Sequence, residues 1–192
     1  MGMAKEKLKM DSTHIAQIMG TVGSPLIVIS ELLKNAVDAS AENIDIYYNY
    51  NEKSITVEND YKGFTFEEIQ KLSQPGISAK KKGDNLTNER GMFLTGSKGL
   101  GLLSVFLLCE KAEIYTSAED HSVYQIIMDK RTGTIEQLLL EEKSPKEYTK
   151  VVLTDVSNEI ISFLSSESEV RKLRHICTSL YKGGEVSFPQ MR

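Results

Sequence analysis

Helical and strand periodicities alternate along the first half of the chain. Apolar residues recur at helical spacing after Pro25, a residue that suits the first turn of a helix. Thr65 and Glu68 form the spacing of a capping box, which predicts the start of a short helix. The predicted elements are helices at 5–19, 26–39 and 65–72, and hairpin strands at 43–50 and 54–58.

The second half is richer in strand patterns. Residues 102–109 are too apolar to be exposed and predict a buried helix. Strands are predicted at 112–117, 122–129, 134–140 and 150–155, and a mostly helical region at 156–180 with a break within 165–169. Strands with helices before, between and after them indicate a single domain over 1–192 with a two-layer α/β sandwich fold.

Residues 73–95 break this regular pattern. They contain Pro75, three glycines and the run Lys80-Lys81-Lys82. A long irregular segment is uncommon in a compact domain and is often a functional lid when it occurs. We therefore predict a lid at about 73–95.

Composition narrows the functional classes. Hydrophobic residues make up 40% of the chain and charged residues 26%, which favours a packed core over disorder. The formal net charge of -4 does not indicate a nucleic-acid-binding surface. There is no apolar run of membrane-spanning length and no signal peptide, so we expect a cytoplasmic protein. Cys109 and Cys177 lie in apolar surroundings and are predicted to be buried thiols.

Polar residues mark one face of the predicted helix at 26–39. Glu31, Asn35, Asp38 and Ala39 stand at i, i+4, i+7 and i+8, which places them on a common face. Asn and Asp are mediocre residues within a helix, so a function would explain their presence. The alternative is an ordinary solvated face.

A glycine-rich turn precedes the apolar segment at 102–109. Three glycines let the backbone approach a ligand closely, and the N-terminus of a following helix favours phosphate. Lys98 adds a positive charge suited to a terminal phosphate. The candidate phosphate-binding residues are Gly96, Ser97, Lys98, Gly99, Leu100 and Gly101.

The stretch 31–39 resembles the N-box of the GHKL superfamily, which includes DNA gyrase, the ninety-kilodalton heat-shock chaperone, sensor histidine kinases and MutL-type proteins. The resemblance implies a Bergerat-type, mostly antiparallel sheet with helices on one face. It implies that Asn35 binds Mg²⁺, which bridges the nucleotide phosphates. Glu31 would polarise the attacking water as the catalytic residue. Asp38 and Ala39 would lie towards the adenine.

Two further segments are similar to GHKL motifs. Residues 57–65 resemble the adenine-binding segment, with Gly63 at its second glycine and Phe64 at its methionine. Asn59 stands where the family has aspartate, and Asp60 is an alternative base contact through a shifted turn. Residues 96–104 resemble the loop that closes over the triphosphate. Thr149 resembles a family threonine near the nucleotide, although an ordinary strand residue explains it equally well.

The resemblance implies slow, Mg²⁺-dependent ATP hydrolysis that drives a conformational or dimerisation switch. Expected partners are ATP, a second copy in the ATP-bound state, and a protein partner or downstream domain, the last if the chain is the N-terminal part of a longer protein. One alternative is a nucleotide-binding module without hydrolysis. A histidine-kinase-like domain is disfavoured, because sensor kinases generally lack an equivalent of Glu31.

A dinucleotide-binding alternative rests on the glycines. Gly99 and Gly101 with Ser104 resemble the Rossmann fingerprint, and Glu119 lies roughly twenty residues further on, as that motif requires. However, the fingerprint should follow a first strand directly, and here the predicted lid precedes it. No Gly-Lys-Ser/Thr sequence occurs, so there is no Walker A motif.

Overall fold

One sheet of eight strands forms the centre of the molecule. The structure is a computed structural model that describes residues 6–9, 25–60, 62–71, 103–180 and 185–191. The strands are β1 (Glu6–Lys9), β2 (Asn43–Asn49), β3 (Ser54–Asn59), β4 (Lys111–Ser117), β5 (Ser122–Asp129), β6 (Thr134–Lys143), β7 (Tyr148–Thr154) and β8 (Glu185–Met191). Their order is β1-β6-β5-β4-β7-β3-β2-β8. Neighbours are antiparallel except β2 and β8, which are parallel.

Helices cover one face of this sheet. They are α1 (Pro25–Asp38), α2 (Phe66–Lys71), α3 (Asn158–Ser165) and α4 (Glu167–Leu180), with a 3₁₀ turn at Leu103–Leu107. Helix α1 packs against α4 and against the 3₁₀ turn. The described helices include none with the length and apolar character needed to cross a bilayer.

The core lies between α1 and the covered face of the sheet. Period-two alternation places one set of strand side chains on that face. The sheet's fully buried contributors include Ile44, Ile46, Ile55, Ala112, Ile114, Ile126, Met128 and Leu153. Helix α1 contributes Val28, Ile29, Leu32, Leu33, Ala36 and Val37, the stripe that the helical spacing predicts. The opposite face is more polar, with Glu113 accepting bonds from Lys111, Tyr115 and Gln125.

The predicted two-layer sandwich is confirmed, and most predicted elements agree with the structure to within a few residues. Thr65 caps α2 as expected: the Glu68 amide donates to Thr65 Oγ1 at 3.3 Å, and the Thr65 amide donates to Glu68 Oε2 at 2.9 Å. The predicted break between the last two helices falls at Ser166. Cys109 is buried, as expected, and burial raises the pKa of its thiol to about 12.

Two predictions need correction, and one strand was missed. The helix predicted at 5–19 is wrong at its start, because Glu6–Lys9 forms strand β1 on the edge of the sheet beside β6. The buried helix at 102–109 is only a short 3₁₀ turn. Strand β8 was not predicted at all. Both edge strands form through pairing with distant segments, which overrides weak local preference. The predicted lid at 73–95 lies outside the described residues.

Asp60 ties the end of β3 to the start of β2. Its Oδ1 accepts hydrogen bonds from the amides of Glu42 and Asn43, each at 2.9 Å, and its Oδ2 accepts from the Asn43 side chain. Burial raises the pKa of the Asp60 carboxyl, but the bonds from Asn43 and Glu42 outweigh it and hold that pKa below 3.8. Asp60 therefore fixes the turn between α1 and β2.

We expect Asp60→Ala to lower the free energy of unfolding by about 1–2 kcal/mol, because charge-assisted bonds at a partly exposed site are lost. Folding lowers the Asp60 pKa, so this stability is present above pH 3.8 and disappears as the pH falls through the folded value. Urea titrations at pH 7 and pH 3 measure it. The two proteins should differ at pH 7 and converge on acidification. Glu119→Ala, at an exposed turn, should leave stability unchanged at both values.

Candidate functional site

Helix α1 carries the predicted polar face, and burial increases towards its C-terminal end. The Glu31 side chain is 30% exposed and forms an ion pair with Lys34, with 2.6 Å between Oε1 and Nζ. Asn35 is half-buried, Asp38 is only 7% exposed, and Ala39 is half-buried. The separation of seven residues places Glu31 and Asp38 about 10 Å apart along the helix axis. The face thus runs from a partly exposed carboxylate to a buried one.

The C-terminal end of α1 leads directly into the sheet. The amide of Ser40 donates to Val37 O and the amide of Ala41 donates to Ala36 O, with Ser40 in the left-handed conformation at φ 69°. This pair of bonds is a Schellman motif, which ends the helix and reverses the chain. Strand β2 begins at Asn43, and its second residue, Ile44, lies opposite Asn59 of β3. Asp38 and Asn59 are therefore placed at the same end of the α1–sheet layer.

A row of polar side chains crosses three strands at this end. Asn59 of β3 pairs with Thr149 of β7, which in turn pairs with Thr116 of β4. Each of the three lies two residues from a buried apolar residue of its own strand, so all three lie on the helix-covered face. Asn59, Thr149 and Thr116 are 9%, 8% and 0% exposed. Thr116 Oγ1 and Thr149 Oγ1 are 3.2 Å apart. Asn59 Oδ1 is buried without a hydrogen-bond partner among the described residues.

The segment after β3 lies tightly against this row. The Phe64 amide donates to Thr116 Oγ1 at 2.7 Å, and the Phe64 side chain packs against the core. A Cβ added at Gly63 would lie 2.2 Å from the Ser117 carbonyl oxygen and 2.6 Å from Thr116 Oγ1. Only a glycine allows this approach of the two backbones. Gly63 and Phe64 therefore border the polar row, as the sequence pattern requires.

The structure thus brings the C-terminal end of α1, the turn after β3 and Thr149 of β7 to one end of the core, and the Glu31 end of the helix lies about 10 Å further along its axis. The predicted phosphate-binding residues Gly96, Ser97, Lys98, Gly99, Leu100 and Gly101 lie outside the described residues. The segment that follows them, the 3₁₀ turn at Leu103–Leu107, packs against α1. The described structure therefore resumes, after the glycine segment, beside the helix that carries Glu31 and Asn35.

Thr116 is a member of the row that sequence reasoning missed. Its strand was predicted, but a threonine in a strand has no local feature that marks it as part of a site. Its pairing with Thr149 became visible only through the β4–β7 register. The sequence signal that could have suggested it is the shared polar character at the ends of two otherwise apolar strands.

The chemistry of the α1 face fits a magnesium ion. Mg²⁺ prefers oxygen ligands, keeps several waters and takes few protein ligands when phosphates are present. Asn35 offers a carboxamide oxygen on a half-buried face, with the Glu31 carboxylate one turn away. Within the described ranges, no cluster of three or more His, Cys, Asp or Glu could form an all-protein metal cage. A face that offers one amide oxygen and a neighbouring carboxylate fits an ion held largely by a bound nucleotide.

An open depression of about 270 Å³ lies on the opposite face of the sheet, where Asp45 and Glu58 are paired. It is lined by Asn43, Asp45, Glu58, Asn59, Asp60 and Lys146. Three carboxylates and a single amine would repel a triphosphate. Asn59 lies two residues after the core residue Val57 in β3, so its side chain belongs to the covered face. The depression is therefore not a candidate nucleotide site.

Topology excludes the dinucleotide-binding alternative. A Rossmann domain is built on a mostly parallel sheet of strand–helix–strand units. Here the strands on both sides of the glycine segment belong to an antiparallel sheet, in which β3 pairs with β7 and β7 with β4.

Comparison with known proteins agrees with this topology. No curated protein matches the chain significantly. A family profile described as "Histidine kinase-, DNA gyrase B-, and HSP90-like ATPase" matches residues 24–159, which include α1, the polar row and the glycine segment. The match covers well over half of the chain, and the chain belongs to this GHKL family of ATPase-type domains.

Proposed function

We propose that the chain binds ATP together with Mg²⁺ at the end of the core defined by α1 and the polar row, and that it hydrolyses ATP slowly. Family membership supports ATP binding. The observation that carries the proposal for the site is that two features from distant parts of the sequence lie next to each other in the fold. These are the acidic and amide face of α1 and the buried, incompletely satisfied row formed by Asn59, Thr149 and Thr116.

The adenine base is assigned to the polar row. Within the part of the chain that the structure describes, Asn59 Oδ1 is buried and has no partner, and such a group normally has one in a native structure. The 6-amino group of adenine is a donor that would satisfy it. Asp60 is not assigned to the base, because its carboxylate already holds the α1–β2 turn. Asp38 and Ala39 at the end of α1 would border the same base, with Gly63 and Phe64 on the other side.

The phosphates are assigned to the more N-terminal part of the α1 face. Asn35 would hold Mg²⁺, which would neutralise phosphate charge when bound. The segment from Gly96 to Gly101, with Lys98, would close over the phosphates, as its glycines and its position before a turn packed on α1 suggest. Glu31 would orient and deprotonate the water that attacks the terminal phosphate.

In the proposed switch, nucleotide binding at this site changes a docking surface elsewhere on the protein. Nucleotide binding would close the predicted lid at about 73–95. The closed state would then dock a second copy, a protein partner or a downstream domain. Slow turnover is proposed because the resemblance to GHKL ATPases implies it. In the binding-only alternative, the chain binds ATP in the same way but Glu31 does not activate a water molecule.

Calorimetry with ATP tests the binding proposal. We expect a dissociation constant in the mid-micromolar range or weaker, equivalent to about 6 kcal/mol or less, because the entropic cost of closing the predicted lid offsets contact energy. Binding should weaken strongly when Mg²⁺ is replaced by a chelator. Absence of heat at millimolar ATP, with and without Mg²⁺, would refute the assignment.

Asn35→Ala should abolish the metal-dependent part of ATP binding. The carboxamide oxygen is the proposed protein ligand of Mg²⁺, and alanine offers no oxygen to replace it. The measurement is ATP affinity with and without Mg²⁺, for which the variant should give similar values. Asn158→Ala, at an exposed position at the start of α3, is the matched control and should retain the full Mg²⁺ effect. Retention of that effect by Asn35→Ala would remove Asn35 from the metal site.

A further inference from the structure

Two groups in the polar row can act either as hydrogen-bond donors or as acceptors. The first is the Asn59 carboxamide, whose Oδ1 is buried without a partner among the described residues. A carboxamide has an oxygen and an NH₂ group of nearly the same shape, and rotation by 180° exchanges them. Asn59 can therefore meet a ligand with an acceptor or with a donor.

The second group is the Thr149 hydroxyl. It can donate or accept because the hydrogen of the Thr116 hydroxyl has two alternative acceptors. Thr116 Oγ1 accepts from the Phe64 amide at 2.7 Å and has a single hydrogen to give. That hydrogen can go to Tyr148 O or to Thr149 Oγ1, both at 3.2 Å. In the first case Thr149 donates to Thr116 and keeps its lone pairs for a ligand. In the second case Thr149 accepts and keeps its hydrogen for a ligand.

Asn59 and Thr149 are also direct neighbours across β3 and β7. A base edge that contacts one of them is therefore within reach of the other. Neither side chain imposes a fixed donor or acceptor, in contrast to a carboxylate, which at neutral pH can only accept. The row can satisfy an amino group or a carbonyl group at the same place with only a rotation of side chains.

We propose that this site admits purine nucleoside triphosphates carrying either an amino or an oxo group at position 6, so that the chain discriminates poorly between them. The inference rests on the proposed nucleotide site and names the substrate class of that site. A 6-amino base would meet Asn59 Oδ1 and the Thr149 oxygen. A 6-oxo base would meet Asn59 Nδ2 and the Thr149 hydroxyl hydrogen.

The test compares ATP with inosine triphosphate, which carries an oxo group in place of the 6-amino group and a hydrogen on the adjacent ring nitrogen. Calorimetry of the whole chain with Mg²⁺ measures both dissociation constants. We expect them to agree within about threefold, because the group at position 6 of each base finds complementary partners in Asn59 and Thr149. Inosine triphosphate binding more than about thirtyfold weaker than ATP would overturn the inference and leave ATP binding intact. Absence of binding by both nucleotides would instead refute the proposed function.

Asn59→Asp supplies the sharper arm. A carboxylate accepts from an amino group but cannot donate to a carbonyl, so the preference for ATP should rise by about tenfold or more. An unchanged ratio in folded Asn59→Asp protein would remove Asn59 from the base site. Thermal unfolding verifies that the buried carboxylate is tolerated.

Two further variants decide the question even if Asn59→Asp fails to fold. Asn59→Ser keeps a group that can donate or accept, so both affinities should fall while their ratio stays within about threefold. A strong ATP preference in Asn59→Ser would contradict the proposal. Thr154→Val removes a hydroxyl from the other end of β7, where it bonds to Lys111 O, and serves as the matched control with both affinities retained.

Discussion

Glu31→Gln is expected to lower kcat for ATP hydrolysis by a factor of about 10² to 10⁴, with the dissociation constant for ATP nearly unchanged. A carboxylate that orients and deprotonates the attacking water acts mainly in the transition state, so its loss affects kcat more than binding. Glutamine keeps the size of the side chain and removes its charge. The measurement is phosphate release at saturating ATP, beside the affinity for a non-hydrolysable analogue.

Lys34 provides a control that the structure makes necessary. Glu31 is paired with Lys34 at 2.6 Å, so Glu31→Gln breaks an ion pair as well as removing a base. Lys34→Gln breaks the same pair and leaves the base in place, and it should retain most of kcat. Glu159→Gln, exposed in the first turn of α3, should retain all of it. Equal rates for the parent and Glu31→Gln would show that Glu31 is only a polar helix residue and would favour the binding-only alternative.

The Glu31→Gln protein also tests the switch. Because hydrolysis is slowed and binding is kept, ATP should trap the closed state. If that state dimerises, sedimentation of Glu31→Gln with ATP and Mg²⁺ should give a larger dimer fraction than the parent shows. A monomer under these conditions would separate ATP turnover from self-association and would direct the search to a different partner or to a downstream domain.

Gly63→Ala is expected to lower the free energy of unfolding by about 3 kcal/mol and to remove ATP binding. A Cβ at this position would lie 2.2 Å from Ser117 O and 2.5 Å from Ser117 C, and these backbone atoms belong to a central strand. The turn would have to move away from β4, which would break the bond from the Phe64 amide to Thr116 Oγ1. Urea unfolding and ATP calorimetry measure the two effects.

Gly133→Ala separates a steric effect from a backbone effect. Gly133 has φ 62°, in the turn between β5 and β6, so alanine there is strained by its conformation and should cost about 1 kcal/mol. ATP binding should be unchanged, because this hairpin is remote from the polar row. A Gly63→Ala protein as stable as the Gly133→Ala protein, with ATP binding intact, would mean that the 60–65 turn can move without disturbing the site.

The residues that could be identified from sequence are those whose role follows a local pattern. The face of α1 follows from helical spacing, and the cap of α2 follows from Thr65 and Glu68 three residues apart. Asn59 could be named from the sequence as a candidate contact of the adenine, but its burial and hydrogen bonding could not be predicted. Its Oδ1 is buried without a partner among the described residues, and this depends on β7 and on the chain reversal after α1, which local periodicity does not describe.

Sequence by itself determined the family, the helix with Glu31 and Asn35, and the apolar alternation of the central strands, because each depends on residues close together in the chain. Tertiary structure alone decided the edge strands β1 and β8, the assignment of Asp60 to a turn, and the polar row. The bond between Phe64 and Thr116 joins residues 52 positions apart. Such contacts arise from strand register and packing, so they become visible only when the sheet is assembled.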